Sequence, residues 1–202
     1  DNYLHTYGNG FSIQTGSILK ATKTVRLGLA YESSTWYQLY DELSQSLRVV
    51  SADASGELPT DVVNPKVTNT YDPYTLKTPA KWTGSFAYVF GKKGLLSIDY
   101  ATKDYSKTQY GPVNDFTTTN KSTANTLTRA GELRIGGEYK INEWSLRAGY
   151  RLEQSPYKDG ITVGDLKGSS VGFGYNFGAS RFDFALSHSE RDSQRQFFSQ
   201  GL

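Results

Sequence analysis

The chain has 202 residues, enough for one domain, and carries 22 Lys and Arg against 20 Asp and Glu. That near-neutral balance gives no electrostatic basis for binding nucleic acid. Cysteine is absent, which excludes a disulfide framework and thiolate metal ligation. Methionine is absent too, so the chain is expected to begin after a removed signal peptide or partway along a longer protein. No apolar run approaches the length of a transmembrane helix. The mean hydropathy of −0.55 is low, as it also is in a barrel wall where polar and apolar residues alternate.

Alternation predicts eight strands, at residues 10–19, 25–35, 81–90, 95–105, 130–141, 144–152, 169–177 and 182–189. The second places Val25, Leu27, Leu29 and Tyr31 on one face and Arg26, Gly28, Ala30 and Glu32 on the other. The seventh sets Val171, Phe173 and Tyr175 against Ser170, Gly172 and Gly174. The first is the least regular, because its pattern blurs near Gly16.

Connections near 21–24, 91–94, 142–143 and 178–181 are tight, while 36–80, 106–129 and 153–168 are long. Strict short–long alternation is the habit of outer-membrane barrels, with periplasmic turns and extracellular loops. A soluble sandwich has no reason to sort its loops this way. The expected fold class is therefore all-β, a transmembrane antiparallel up-and-down barrel region over residues 1–202. Within the loop 36–80, Leu39, Leu43, Leu47 and Val50 recur at helical spacing, and Thr35 with Gln38 resembles a capping box. A short amphipathic helix is expected over 36–50. The Thr- and Asn-rich stretch 117–128 reads as a solvated tip.

The segments VRLGLAYESSTWY (25–37), KTPAKWTGSFAYVFGKKGLLSIDYATKDYS (77–106) and LRIGGEYKINEWSLRAGYRLEQSPY (133–157) resemble the outer-membrane long-chain fatty-acid transporters of the FadL type. The nearest flavour is that of Bacteroidetes members labelled hemin receptors. The resemblance lies in the order of the motifs: Pro79 to Trp82, Ser97 to Tyr100, Glu132 to Tyr139, then Leu146 to Arg151. It implies a fourteen-stranded barrel with an N-terminal hatch, of which this chain would be the C-terminal part. It also implies passive uptake of a hydrophobic small molecule such as a fatty acid, at the bacterial outer membrane, with lipid as the other partner. No cofactor or metal is called for. The rival functions are a structural or adhesive surface barrel and a hemin receptor.

Arg26, Glu32, Asp99, Glu132, Arg134, Glu138, Arg147 and Arg151 share the inward parity. An Arg facing lipid at the midplane costs about 2–4 kcal/mol, so the lumen is their natural place. There they serve either as cross-strand ion pairs or as a guide for a carboxylate head group. Trp36, Tyr37, Leu39, Tyr40 and Leu43 form an apolar cluster past the second strand. It reads equally as a ligand groove or as an aromatic girdle followed by a helix packed on its own barrel. His5 and His188 are the only histidines, in no ligand-spaced cluster. Ser187 and Ser189 have the parity opposite to His188, which argues against a hydrolase. No enzymatic activity is expected.

A two-residue connection at Asn142 and Glu143 fixes a register. Ile141 then faces Trp144, Tyr139 faces Leu146, Glu138 faces Arg147, Gly136 faces Gly149 and Arg134 faces Arg151. The last pair is unfavourable by itself, with Glu132 and Glu153 close enough to neutralise it.

Overall fold

The computed structural model describes residues 2–50, 60–63 and 67–194. In chain order the strands are β1 (Asn2–Phe11), β2 (Gln14–Lys20), β3 (Val25–Glu32), β4 (Trp36–Gln45), β5 (Leu47–Val50), β6 (Thr60–Val63), β7 (Thr68–Thr70), β8 (Tyr74–Lys77), β9 (Lys81–Val89) and β10 (Gly94–Asp104). A 3₁₀ turn (Tyr105–Lys107), β11 (Gln109–Gly111) and helix α1 (Thr117–Thr126) follow. The chain continues through β12 (Arg129–Ile141), β13 (Trp144–Glu153), β14 (Val163–Asn176) and β15 (Arg181–Ser193).

Eight strands form the main sheet, in the order β15-β14-β13-β12-β10-β9-β3-β2, and every neighbouring pair is antiparallel. They coincide with the eight strands read from alternation, with ends shifted by a few residues. The exception is the first, which divides at Ser12 and Ile13 into β1 and β2.

The four tight turns all lie at one end of the sheet and are bonded to one another. Val89 N–H donates to Thr24 O at 2.7 Å, Lys140 N–H to Lys93 O at 2.6 Å, and Asn176 N–H to Glu143 O at 2.9 Å. Asn142 takes a φ of +53°, a conformation that Asn tolerates better than most residues. The β12–β13 register is the one this turn dictates: Ile141 opposite Trp144, Glu138 opposite Arg147, Gly136 opposite Gly149 and Arg134 opposite Arg151.

The register sorts side chains into two faces. Leu27, Leu29, Trp82, Phe86, Ile98, Ile135, Tyr150, Val171, Phe173, Phe184 and Leu186 share one. Among the described residues the buried apolar side chains are no larger than those of Pro79, Ala101 and Ala130, while Leu29 is 59% and Leu186 61% exposed. An aromatic and aliphatic face this extensive with no second layer over it is unstable in water. A bilayer is the solvent that covers it, and a bilayer admits β-structure only where strands pair their backbone groups, as the six inner strands of this sheet do on both sides and its outer strands, β15 and β2, do on one.

Beyond the opposite end a second sheet continues the first. Its order β1-β4-β8-β11 repeats that of β2-β3-β9-β10, so each strand stands above its main-sheet counterpart, and β7 adds to β4. The break between the sheets is stitched by one backbone bond and two hydroxyl side chains. Ser33 N–H donates to Ile13 O at 2.8 Å, Ile13 N–H donates to the Ser33 hydroxyl at 2.9 Å, and Thr35 N–H donates to the Thr78 hydroxyl at 3.1 Å.

One expectation is corrected by this upper sheet. The stretch from Trp36 is strand β4, where a helix over 36–50 was expected, and β4 pairs with β1 along its whole length. The i, i+4 spacing of Leu39, Leu43 and Leu47 also satisfies a period of two. Trp36, Tyr37 and Tyr40 favour strand, and β1 supplies the partner that propensity cannot foresee. The remainder of that loop at 51–59 and 64–66 lies outside the described residues. The helix of this end is α1, within the stretch read as a solvated tip.

The two faces of β10 give a direct check. Ile98→Arg in mid-strand is expected to destabilise the membrane-inserted protein by about 2–4 kcal/mol, and Ser97→Arg on the polar face by far less. Urea titration of folding into lipid vesicles measures both, and equal costs would show the face assignment to be inverted.

Candidate functional site

All eight charged residues singled out in the sequence lie on the polar face, and the register groups most of them in two clusters. Nearer the turns, Arg147 is the hub. Its Nε donates to Glu138 Oε2 at 2.6 Å and its Nη1 to Asp183 Oδ1 at 2.6 Å. Lys140 stands 3.5 Å from Glu138, and Arg181 stands 2.7 Å from Asp183. The cluster spans β12 to β15 and binds these strands into one register.

Nearer the loops, Glu132 is the hub. Arg134 Nε donates to it at 2.6 Å, Arg151 Nε lies at 3.1 Å, and Lys81 Nζ at 3.5 Å. Arg151 also reaches Glu153 at 2.6 Å, and Arg191 reaches Glu153 at 3.4 Å. The like-charged neighbours Arg134 and Arg151 are thus bridged by one carboxylate. Glu32 lines the same recess of about 300 Å³ as Lys81, Glu132, Arg134 and Arg151. Arg26 and Asp99 line another, of about 500 Å³, with Ile18, Gly28 and Ala87.

Between the clusters the register draws a row of small residues across six strands: Ala87, Ser97, Gly136, Gly149, Ser170 and Ser187. From β9 to β15 no side chain in this row is longer than serine. A Cβ built on Gly136 would meet nothing closer than 3.8 Å, so the wall is smooth there and open in front.

The apolar cluster past the second strand is split by strand periodicity. Tyr37, Leu39 and Leu43 lie on one face of the upper sheet, while Trp36 and Tyr40 lie on the other. Leu4, Tyr74, Leu76 and Tyr110 share the first face. Tyr37 packs over Gly10, where a Cβ would come within 2.6 Å of its ring. The opposite face carries Tyr3, His5, Tyr7 and Phe11 with Trp36 and Tyr40, and Tyr7 stacks on Tyr40 at 5.4 Å.

The Tyr37 face holds residues that the sequence reading missed. Tyr74, Tyr110 and Phe116 form an aromatic triad with centroids 5.6–6.3 Å apart. Tyr74 and Leu76 alternate as a strand would, a signal legible in the sequence; Phe116 offered none. Burial and then the Asp41 carboxylate raise the Tyr74 phenol above its ordinary pKa, so it stays protonated and its hydroxyl is directed at Asp41, 3.5 Å away. His188 lies on the face opposite Ser187 and Ser189, paired across the sheet with Ser169.

An antiparallel wall with an uncovered apolar face, charges confined to the other, and turns and long loops sorted to opposite ends defines a transmembrane β-barrel of the outer-membrane type. The chain belongs to the outer membrane protein transport protein family (OMPP1/FadL/TodX), which matches residues 2–196. It is an outer-membrane protein. Among solved structures, the CymD monoaromatic hydrocarbon channel is similar at a TM-score of 0.52 and 16% identity, covering 89% of this chain and 46% of that one. The toluene transporter TbuX of Ralstonia pickettii gives 0.49 and 20%, covering 86% and 41%. The toluene transporter TodX of Pseudomonas putida gives 0.48 and 17%, covering 89% and 44%. The likeness is one of fold, and the chain spans less than half the length of each. A search of curated proteins finds no match.

The Arg147 hub is directly testable. Arg147→Met removes both ion pairs and leaves Glu138 and Asp183 without this partner. The side chain is partly exposed, so the expected loss is about 1 kcal/mol of unfolding free energy. Adding Glu138→Gln is expected to recover part of it. A double-mutant cycle in urea reads the coupling, and strictly additive losses would contradict a shared network.

Proposed function

We propose that this chain contributes the wall of a passive channel that takes hydrophobic small molecules across the outer membrane. The observation that carries the reading is the row of small residues between the two charged clusters. A hydrophobic body passing the wall must not be stopped by an unpaired charge or a bulky side chain. Here the cations flanking the row on β12 and β13, Arg134, Arg147 and Arg151, are held by carboxylates, and Arg26 stands beside Ala87 at the β3 end of the row. The section between them offers only methyl groups, hydroxyls and backbone.

On this reading Tyr37, Leu39 and Leu43 belong to the apolar receiving surface at the loop end, and Trp36 and Tyr40 do not face it. The eight charged residues line the lumen, and five of them, Glu132, Arg134, Glu138, Arg147 and Arg151, form the ion pairs that hold its shape. The families of ligand to try first are single-ring hydrocarbons, which the similar channels are described as carrying, and long-chain fatty acids. The chain's own features favour the neutral hydrocarbon, because the guanidinium groups of Arg134, Arg147 and Arg151 are already engaged.

Gly136→Trp tests the passage. The variant places an indole in front of the smooth row, at a position that itself takes part in no ion pair. Uptake of labelled toluene by proteoliposomes of the complete gene product is expected to fall about tenfold, with the folded yield unchanged. Wild-type uptake in this variant would show that the ligand does not pass this section of wall.

A further inference from the structure

Helix α1 is a poor helix by composition. Its ten residues, TTTNKSTANT, include five threonines, and none of them is buried. Phe116 at the N-cap provides no capping side chain, and the first turn has no acidic residue. Threonine loses side-chain freedom in a helix, and a helix this short is marginal in water even with better formers. Tertiary contacts must therefore hold it.

Those contacts differ at the two ends. At the C-terminal end the backbone of Lys158 donates to Thr126 O at 2.9 Å and its ammonium to Ala124 O at 2.8 Å. At the N-terminal end Asn120 imitates a strand neighbour for β11. Its Oδ1 accepts from Tyr110 N–H at 2.7 Å, and its Nδ2 donates to Tyr110 O at 2.9 Å. Just before it, Phe116 sits 5.7 Å from the Tyr74 ring and 5.6 Å from the Tyr110 ring.

We propose that the surface formed jointly by the Tyr74 and Tyr110 rings is a binding site for one apolar ring, covered at rest by the chain's own Phe116, and that α1 is a latch which an incoming aromatic ligand displaces. Three observations meet in this assignment. The occupant is itself a single unsubstituted ring, so the slot has the size and chemistry for a monoaromatic guest. All three rings are only partly buried, so a guest reaches them without opening the wall. The element that carries Phe116 has little stability of its own, so its N-terminal end is kept in place chiefly by the Asn120–Tyr110 bonds and the ring contacts, which a guest ring can replace in part. The site lies on the same face of the upper sheet as Tyr37, Leu39 and Leu76, which would pass the guest onward.

The inference rests on the proposed uptake of hydrophobic molecules, and its test separates the two. Toluene binding and amide exchange over 112–127 are measured on the complete gene product in lipid nanodiscs. In the wild type, toluene is expected to speed exchange across α1, because Phe116 leaves its slot. Phe116→Ala is expected to bind toluene about tenfold more tightly, since a site closed most of the time reports only a fraction of its intrinsic affinity. In this variant exchange over α1 is fast from the start and indifferent to toluene. Asn120→Ala keeps the ring but loosens the latch, and is expected to tighten binding by a smaller factor; it carries the same readout if Phe116→Ala does not fold. Wild-type or weaker affinity in both variants, or exchange that toluene leaves unchanged, overturns the latch while proteoliposome uptake of toluene still stands. A wild type that neither binds nor takes up toluene overturns both readings.

Discussion

A bilayer offers no hydrogen-bond partner to a peptide group, and the rest of this structure follows from that. Every strand in the membrane has to pair with a neighbour through its backbone, and each side chain must then point to lipid or away from it. Moving one strand by a single residue would turn Arg147 into lipid and Leu146 out of it. Register is therefore held firmly, and the Asn142 turn, the Glu138–Arg147 pair and the opposed glycines Gly136 and Gly149 all agree on the same alignment.

Confining charge to one face creates a second problem, which the sequence of rows resolves. Arg134 and Arg151 are direct cross-strand neighbours and repel one another. Glu132 lies between them and binds both, with Lys81 added from β9. The turn-end cluster repeats the device with Arg147 between Glu138 and Asp183. Each cluster ties several strands together, which a chain with no disulfide and almost no buried core needs. Between them the wall is free to be small and smooth, and that freedom is what the proposed passage uses.

Past the break at Ser12, Ser33 and Thr78 the constraint relaxes. Water can pair with backbone groups there, and the wall no longer has to be continuous. Strands shorten to the three residues of β11, hydroxyl side chains substitute for ladder bonds, and a threonine-rich helix survives on two sets of contacts. Aromatic residues occupy both faces of the upper sheet. Elements of low intrinsic stability are those that ligands can move, and the loop end is where this chain keeps them.

The amino-acid sequence by itself determined the eight membrane strands, their faces, the short and long ends and the β12–β13 register, because a strand in lipid has only two sides and a turn of Asn142 and Glu143 leaves one alignment. It also placed all eight charged residues on one face. It did not decide what happens beyond the membrane. Leu39 and Leu43 satisfy a helix and a strand equally, and only the pairing of β4 with β1 chose the strand and set Tyr37 on the face opposite Trp36. Phe116 meets Tyr74 across a long separation in the chain, and a turn of irregular chain brings Phe116 and Asn120 back onto Tyr110. Such contacts depend on loops that have no periodicity to read, so the tertiary structure alone brought them together.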